Sequence, residues 1–409
     1  MLGYYLGRML LFPLIPPEHV YFSITNRCNL RCRMCSIDKT PAVESELSLS
    51  EIGKIILQIS DLGVRHLILS GGEPLLREDL AEIVDFASEH FSGKIDIITN
   101  GILFNDRLIK ELLDMKLNHI TFSIDGFKKT NDQIRGDDSF DKSINNIRRI
   151  HDYKKKTGLL FPTLGINFTV MDKNINQMLK MVYFTRDIGC NCIVFQPLLS
   201  NNIKMFEKSE NDFWPGDANI KKLEKIIIDV KRLKEELVDF EICTDNEILD
   251  CMPEYFRMSS AQWKFKCFEA IKRIVIGYDG RVWSCAGIYG DLKEKRLKEI
   301  WFSQEARENR LKFKECKEHC LQDCVYVSSD IISRLKEFLK KVDSLQNSEK
   351  NNIWDALLKH AYYYENILSN KDLTCEHGSF NPGDLRQGMY DLDAMKEIIK
   401  NYAEYPMNA

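Results

Sequence analysis

Short apolar runs alternate with amphipathic helical patterns along the first half of the chain, from Val20 to about Leu198. Six of these runs have the length and composition of β-strands. They are Val20–Ile24, His66–Ser70, Ile95–Thr99, His119–Ile124, Thr163–Val170 and Cys192–Pro197. Alternation of this kind builds a parallel sheet, with functional loops at the carboxyl ends of the strands. Six repeats are too few for a closed eight-stranded barrel, so we expect an α/β fold built on an open partial barrel.

The rest of the sequence divides into four further segments. Residues 1–19 are apolar but interrupted by Arg8 and three prolines, and they are too short to span a bilayer. This segment predicts a short packed helix, with peripheral membrane contact as the alternative and no transmembrane segment. After the barrel at 20–200 we expect a linker with a long helix at 201–262, a small cysteine-bearing domain at 263–326 and a helical tail at 327–409.

Charge and cysteine content restrict the partners and the compartment. The formal net charge of −4 over 409 residues gives no electrostatic reason to expect a nucleic-acid partner. The thirteen cysteines fall in clusters typical of metal sites rather than of a disulfide framework. This pattern predicts a reducing cytoplasm, in which thiolates serve as ligands.

The first cysteine cluster, Cys28-x3-Cys32-x2-Cys35, follows the first predicted strand directly. Three thiolates can hold three irons of a [4Fe–4S] cube, which usually takes four. The fourth iron then stays open to the amino and carboxylate groups of a methionine. The alternative is a zinc site of three cysteines with His19 or another ligand, but zinc sites normally use cysteine pairs, and no second pair lies nearby.

A second motif, Ser70-Gly71-Gly72-Glu73-Pro74, closes the second predicted strand. Glycines let the backbone approach a ligand closely, and a neighbouring carboxylate can accept bonds from an ammonium group. Alone, this motif would predict only a tight turn. Asn100-Gly101, after the third strand, is interpreted as a turn.

Together these motifs resemble the radical S-adenosylmethionine (SAM) superfamily, whose C-x3-C-x2-C loop follows the first strand of a partial (βα)6 barrel. The lead-in Ile24-Thr25-Asn26-Arg27 is also similar, whereas Met34 stands where the family most often has an aromatic residue. The resemblance implies that Gly71, Gly72 and Glu73 bind the methionine part of SAM, with Glu73 at its amino group.

Three further cofactor contacts follow from the resemblance to family members with auxiliary clusters. Ser123 would contact the ribose or carboxylate region of SAM, Arg135 would face the carboxylate, and Leu198 would contact adenine. From the residues alone, each could instead be a strand-end cap or a surface charge.

The second cysteine cluster starts at Cys267, which is followed by twelve residues, Gly280, four residues and Cys285. Two β-prone runs around Asp279-Gly280 predict a hairpin that brings these cysteines together. Cys316-x3-Cys320-x3-Cys324 follows after a helix. A convergent set of thiols suits an iron–sulfur cluster or zinc.

This spacing resembles the SPASM and twitch domains that follow many radical SAM barrels. The resemblance therefore implies an α/β partial (βα)6 barrel with a C-terminal SPASM/twitch-like iron–sulfur domain and a helical tail. A full SPASM domain has seven cysteines and two clusters, whereas this one has five, which favours one auxiliary [4Fe–4S] cluster. Its ligands would be Cys267, Cys285 and two of Cys316, Cys320 and Cys324. If all three bind, part of a second cluster forms, with Cys375 and His377 as distant candidates to complete it.

The leftover cysteines are interpreted as packing residues rather than ligands. They are Cys190, Cys192, Cys243 and Cys251.

The resemblance also implies a reaction. An electron donor such as flavodoxin or ferredoxin reduces the first cluster, SAM is cleaved, and a 5′-deoxyadenosyl radical abstracts hydrogen from the substrate. The auxiliary cluster would accept an electron from the substrate radical or hold the substrate. No catalytic side chain beyond these ligands is predicted.

Three functions compete. We expect a net oxidation or rearrangement of a small molecule, because the cluster motif begins at Cys28 and leaves no room for an N-terminal peptide-recognition domain. The alternative enzyme is a maturase of a ribosomally made peptide. A non-catalytic iron–sulfur electron carrier is the third reading, and the Gly71–Glu73 motif disfavours it because a carrier needs no methionine pocket.

Overall fold

The computed structural model describes residues 2–35, 46–199, 212–257, 265–316, 320–322 and 326–328, together with 333 and 337. The chain divides into two compact units, one of Pro16–Val327 and one of Met1–Ile15 with Ser328–Ala409. In the second unit, helix α1 spans Leu2–Leu10. The predicted tail at 327–409 lies almost wholly outside the described residues.

A ten-stranded sheet runs through the larger unit. In chain order the strands of this unit are β1 (His19–Thr25), β2 (His66–Gly71), β3 (Lys94–Thr99), β4 (His119–Ser123), β5 (Thr163–Val170), β6 (Cys192–Pro197), β7 (Glu241–Ile242), β8 (Phe265–Cys267), β9 (Arg273–Ile276), β10 (Arg281–Ser284) and β11 (Gly287–Asp291), and β12 (Tyr326–Ser328) ends it. The spatial order is β11-β10-β9-β1-β2-β3-β4-β5-β6-β7, and β8 pairs with β12 in a separate two-stranded sheet.

Helices connect these strands. They are α2 (Leu49–Asp61), α3 (Leu80–His90), α4 (Asp106–Leu113), α5 (Lys128–Arg135), α6 (Ser139–Thr157), α7 (Met178–Asp187), α8 (Asp217–Glu236), α9 (Asn246–Phe256), α10 (Leu297–Trp301) and α11 (Gln304–Glu315). Neighbouring strands from β1 to β7 pair in parallel. The predicted α/β fold is confirmed, and each of the six predicted strands overlaps an observed one.

The alternation of side chains along the strands explains how this sheet forms. On β1, Val20, Phe22 and Ile24 are fully buried, whereas the residues between them are half-buried. The helices have one apolar face to cover such strands, as α3 does with its buried Leu80 and Ile83. The opposite face of the strands therefore carries the polar side chains, and it leads to the loops at their carboxyl ends.

Segments beyond the six repeats extend the same sheet. In β7, Ile242 pairs with Ile193 of β6, and β9 runs parallel to β1 with Arg273 opposite His19. The predicted hairpin is present as β9 and β10, and Gly280 in its turn has a φ of 89°. The second cysteine-bearing segment thus extends the sheet beyond β1.

The described helices include none long and apolar enough to cross a membrane.

Candidate functional site

A cavity of about 280 Å³ lies at the carboxyl ends of the parallel strands. Nine of the residues predicted from the sequence line it. They are Cys28, Cys32, Cys35, Gly71, Gly72, Glu73, Ser123, Arg135 and Leu198. They come from β1, β2, β4, α5 and the end of β6, so this edge of the sheet brings distant segments together.

The two glycines at the end of β2, Gly71 and Gly72, are needed for backbone packing against the cysteine loop. A Cβ on Gly71 would lie 2.3 Å from the Thr25 carbonyl oxygen, and one on Gly72 would lie 2.1 Å from that of Arg27. The Gly72 amide donates to the Thr25 carbonyl and the Glu73 amide donates to the Arg27 carbonyl, both at 2.8 Å. Because no side chain fits there, the glycines couple the end of β2 to the loop that carries the cysteines.

Glu73 is 1% exposed, and protein donors hold both of its carboxylate oxygens. Oε1 accepts from the Thr99 hydroxyl at 2.5 Å and from the Leu75 amide at 3.1 Å, and Oε2 accepts from the Asn100 amide at 2.7 Å. Burial raises the pKa of Glu73, and these donors offset part of that rise. The carboxylate is thus fixed at the cavity wall, where a cationic group could approach it.

The cysteine loop is anchored by two other segments. The Arg33 amide donates to the Ile134 carbonyl at 2.9 Å, so the end of α5 lies against the loop. Asn100 Nδ2 donates to Asn29 Oδ1 at 2.8 Å. These contacts fix the backbone between the three cysteines.

The thiols fit an iron–sulfur cluster with an open iron. Burial raises the pKa of Cys28, and it raises that of Cys32 to about 11, so metal binding must displace their protons. Three thiols, a carboxylate and a cavity beside them are the donor set that three irons of a cube and a chelating amino acid require.

The zinc alternative does not fit this geometry. His19 begins β1 and the cysteine loop follows its other end, so about 20 Å of strand separates them. Within the described part of the chain, no three His, Cys, Asp or Glu side chains form a site for a single metal ion. A cube differs because each thiolate binds its own iron.

The other predicted contacts are held by long-range bonds. Arg135 Nε lies 2.7 Å from Asp125 Oδ2. Leu198 is 1% exposed, and its carbonyl accepts from the Tyr255 hydroxyl of α9 at 2.9 Å. Ser123 ends β4 opposite Asn167 of β5.

Sequence reasoning missed several polar residues of this wall. Thr99, Asn100, Thr169 and Gln196 line the cavity, and Asn100 does more than form a turn. Each lies at or just beyond the carboxyl end of a strand, which is the signal that could have found them.

The second cysteine site is assembled from three separate segments. Cys267 ends β8, Cys285 follows β10 and Cys320 comes after α11. Charges at Cys285 and Cys320 act on the pKa of Cys267, so the three side chains lie near one another. Burial raises the pKa of Cys267 well above its ordinary value. Cys285 is exposed at its residue surface, but the groups around its thiol desolvate it and raise its pKa to about 11.

Helix α11 positions two of these segments. Arg310 is 2% exposed and donates from Nε to the Ala270 carbonyl at 2.8 Å and from Nη2 to the Trp301 carbonyl at 2.6 Å. Ser284, next to Cys285, donates to Asn309 Oδ1 at 2.8 Å. One helix thus contacts both the turn that follows Cys267 and the end of β10 beside Cys285.

The structure describes only one of the other residues predicted as ligands of the auxiliary site. Cys316 is exposed at the end of α11. Cys324, Cys375 and His377 lie outside the described residues. Of the cysteines interpreted as packing residues, Cys190, Cys192 and Cys251 are buried and Cys243 is half-buried.

Two family models match this chain. Residues 22–180 match the radical SAM superfamily, and residues 267–325 match an iron–sulfur cluster-binding domain, SPASM. The first match covers the barrel and the second covers the second cysteine site.

Characterised relatives share part of the sequence. The Fe-coproporphyrin III synthase of Methanosarcina barkeri is 34% identical over 144 residues, 35% of this chain and 36% of that protein. A probable GTP 3′,8-cyclase of Methanococcus vannielii is 30% identical over 210 residues, 50% of this chain and 67% of that protein. The AdoMet-dependent heme synthase of Methanosarcina barkeri is 25% identical over 317 residues, 71% and 83% of the two chains. The matched region spans only 36% of the Fe-coproporphyrin III synthase and 58% of a probable GTP 3′,8-cyclase of Methanocaldococcus jannaschii.

Solved structures share the fold. Streptococcus suis SuiB bound to S-adenosylmethionine has a TM-score of 0.57 at 15% identity, covering 72% of this chain and 67% of that one. The protein anSMEcpe with bound AdoMet has a TM-score of 0.56 at 17% identity, covering 87% of this chain and 100% of that one. The sheet, its helices and the C-terminal cysteine domain are thus a known arrangement.

Proposed function

We propose that this chain, which belongs to the radical SAM superfamily, cleaves SAM reductively in the cavity at the carboxyl ends of its strands and abstracts hydrogen from a small molecule with the resulting 5′-deoxyadenosyl radical. The chain is a radical SAM enzyme with a SPASM domain, and its cofactors are [4Fe–4S] clusters and SAM.

One observation carries the proposal. A single cavity is lined by the three thiols of Cys28, Cys32 and Cys35, the buried carboxylate of Glu73 and the guanidinium of Arg135. SAM carries one ammonium group, one carboxylate and one sulfonium, so its charges match this wall. When bound, the cluster and SAM supply the one-electron chemistry.

The residues of the chain bind, orient and exclude water. Cys28, Cys32 and Cys35 hold the cluster, and Glu73 accepts the ammonium group of SAM. Arg135 faces the carboxylate, while Ser123 contacts the ribose or carboxylate region and Leu198 packs against adenine. Apolar residues such as Ile98 and Leu198 form part of the cavity lining, which favours exclusion of water from the reacting atoms.

The auxiliary site supports a net oxidation or rearrangement. Cys267, Cys285 and Cys320 come from segments near β9 and β10, the strands that extend the sheet beyond β1. One [4Fe–4S] cluster there would accept an electron from the substrate or would hold the substrate in place. A flavodoxin or ferredoxin would supply the first electron.

The substrate class is proposed from two relatives of which this chain covers more than four fifths. The AdoMet-dependent heme synthase and a cofactor-modifying protein of Pyrococcus furiosus are matched over 83% and 81% of their lengths, and both names refer to small molecules or cofactors. The structure of SuiB with its precursor peptide SuiA supports the fold alone, since the identity is 16%.

The first test is cofactor cleavage. Reduced, cluster-loaded protein is expected to convert SAM to 5′-deoxyadenosine slowly without substrate. Glu73→Gln is expected to weaken SAM binding by about 1.5–3 kcal/mol, because the amide lacks the charge that assists the bond. Glu51→Gln, which alters only the exposed capping box of α2, is the control. If loaded, reduced protein makes no 5′-deoxyadenosine, the electron-carrier reading replaces the proposal.

The second test identifies the substrate class. Cells grown in D₂O provide a small-molecule fraction and a peptide fraction, and each is incubated with reduced enzyme and SAM. Hydrogen abstraction from the substrate transfers deuterium to 5′-deoxyadenosine. Label from the small-molecule fraction alone is expected, whereas label from the peptide fraction alone would make the chain a peptide maturase.

A further inference from the structure

One cation faces the cavity. Among the described residues that line it, Arg135 is the single Arg, Lys or His side chain. Its side chain is 10% exposed, so solvent screens it little. An anionic group of a ligand in this cavity therefore has one cationic partner on the described wall.

A buried carboxylate holds that cation from behind. Asp125 is fully buried, and its Oδ2 lies 2.7 Å from Arg135 Nε. Its Oδ1 accepts from the Thr169 amide at 2.7 Å. Asp125 thus joins β5 to the end of α5.

The backbone of Asp125 is fixed as well. Its amide donates to Asn131 Oδ1 at 2.9 Å, and its carbonyl accepts from Asn174 Nδ2 at 3.1 Å. Both of these partners are buried. The position of Asp125 is therefore set by four contacts, two from α5, one from β5 and one from the loop after β5.

The pairing uses one side of the guanidinium. Asp125 Oδ2 and Arg135 Nε form an ion pair without hydrogen-bond geometry, and neither terminal nitrogen of Arg135 has a hydrogen-bond partner among the described residues. The terminal nitrogens of a guanidinium form a planar fork that matches a carboxylate. A guanidinium held at Nε therefore offers its fork in one fixed direction.

We propose that Asp125 is a positioning residue that orients Arg135 to bind the carboxylate of SAM. This inference rests on the proposed function, in which SAM occupies the cavity. The methionine carboxylate is the anionic group of SAM, and Arg135 is the cation that can receive it. Asp125 also keeps the charge of Arg135 paired before the ligand arrives, since an unpaired buried cation is costly.

The test compares SAM with decarboxylated SAM, which keeps the sulfonium, ammonium and adenosine but lacks the carboxylate. Dissociation constants are measured on anaerobic, cluster-loaded protein in the oxidised state, in which no cleavage occurs. Asp125→Asn keeps the shape but loses the charge and one of the two acceptors. We expect it to raise the Kd for SAM by about tenfold or more. The Kd for decarboxylated SAM should change by less than about twofold.

A double-mutant cycle separates positioning from a general structural effect. Arg135→Gln should raise the Kd for SAM by at least as much, and adding Asp125→Asn to it should have almost no further effect, because Asp125 acts through Arg135. Asp279→Asn is the matched control. Asp279 is also buried and pairs with an arginine, Arg281, at 2.8 Å. It does not line this cavity, so its substitution should leave the Kd for SAM unchanged.

Four results would overturn the inference. The Kd for SAM could stay unchanged in Asp125→Asn, both ligands could weaken equally, or the two substitutions could have additive effects. If Asp125→Asn fails to fold, Arg135→Lys replaces it, because lysine keeps the buried charge pair but has no planar fork. An unchanged Kd for SAM in Arg135→Lys is the fourth result that would overturn the inference. Failure of the proposed function looks different, since the unaltered protein would then bind no SAM at all.

Discussion

The two cysteine sites of this chain are built in opposite ways. Cys28, Cys32 and Cys35 lie within eight residues on one loop after β1. Cys267, Cys285 and Cys320 come from three segments, and α11 contacts the chain near two of them, Arg310 bonding to Ala270 and Asn309 to Ser284. The first site depends on short spacing, whereas the second depends on contacts between elements.

This difference predicts how each site fails. A loop whose cysteines are close in sequence keeps them together as long as neighbouring segments hold its backbone in place. A site made from separate strands loses its ligands when their packing is lost. We therefore expect the first site to be sensitive to its backbone neighbours and the second to be sensitive to metal and packing together.

The largest effect is expected from removing the first site. Cys28→Ala, Cys32→Ala and Cys35→Ala together should abolish 5′-deoxyadenosine formation, because no open iron is left to bind SAM. Iron should fall from about eight to about four per chain, since one of two cubes is lost. Iron analysis and chromatography of the reaction products measure both. An unaltered protein with about four irons would show that the auxiliary cluster is absent.

The next effect concerns the backbone that supports the first loop. Gly72→Ala places a Cβ 2.1 Å from the Arg27 carbonyl oxygen, so the loop must move. We expect a loss of roughly 3 kcal/mol or more in unfolding free energy and poor loading of the first cluster. Thermal melts and iron content measure this.

Gly158→Ala is the matched control for that variant. Gly158 has a φ of 74° but no atom within 4 Å of a Cβ, so its cost is limited to about 1 kcal/mol of backbone strain. Equal losses in the two variants would mean that the close approach of β2 to the cysteine loop does not matter.

A selective effect is expected at the second site. Cys267→Ala with Cys285→Ala should leave SAM cleavage in place while product formation from the true substrate stops. The reason is that neither residue lines the cavity that holds Arg135 and Glu73. One assay that follows 5′-deoxyadenosine and product together measures both. Loss of both activities would mean that the two regions fold as one, and unchanged product yield would mean that the second cluster has no role.

The smallest effect distinguishes two neighbouring cysteines. Cys320 is half-buried and is among the main charges that act on the pKa of Cys267 and Cys285, whereas Cys316 is not among them. Cys320→Ala should therefore lose most of the auxiliary iron, and Cys316→Ala should lose less. Iron content and the spectrum of the auxiliary cluster, measured in the background that lacks Cys28, Cys32 and Cys35, report the difference. The reverse order would assign Cys316 as the stronger ligand.

Much of the fold could be predicted because it depends on local patterns. The strands overlap the apolar runs, and the helix α3 buries Leu80 and Ile83 as their spacing indicates. Which strands pair in the sheet could not all be predicted. β9 pairs with β1 across about 250 residues of sequence, and no local pattern indicates that pairing. For the same reason, the sequence did not indicate that the hairpin of the second site extends the main sheet.

The sequence by itself determined the cysteine loop, the Gly71–Glu73 motif and the strand–helix alternation, because each depends on spacing over a few residues. Only the tertiary structure decided how they combine. Cys32 meets the Arg135 carbonyl 103 residues away, Glu73 finds Thr99 on the next strand, and Asp125 meets both Arg135 and Thr169. Buried polar groups must find partners, and which partners are near is set by how the strands line up at one edge of the sheet.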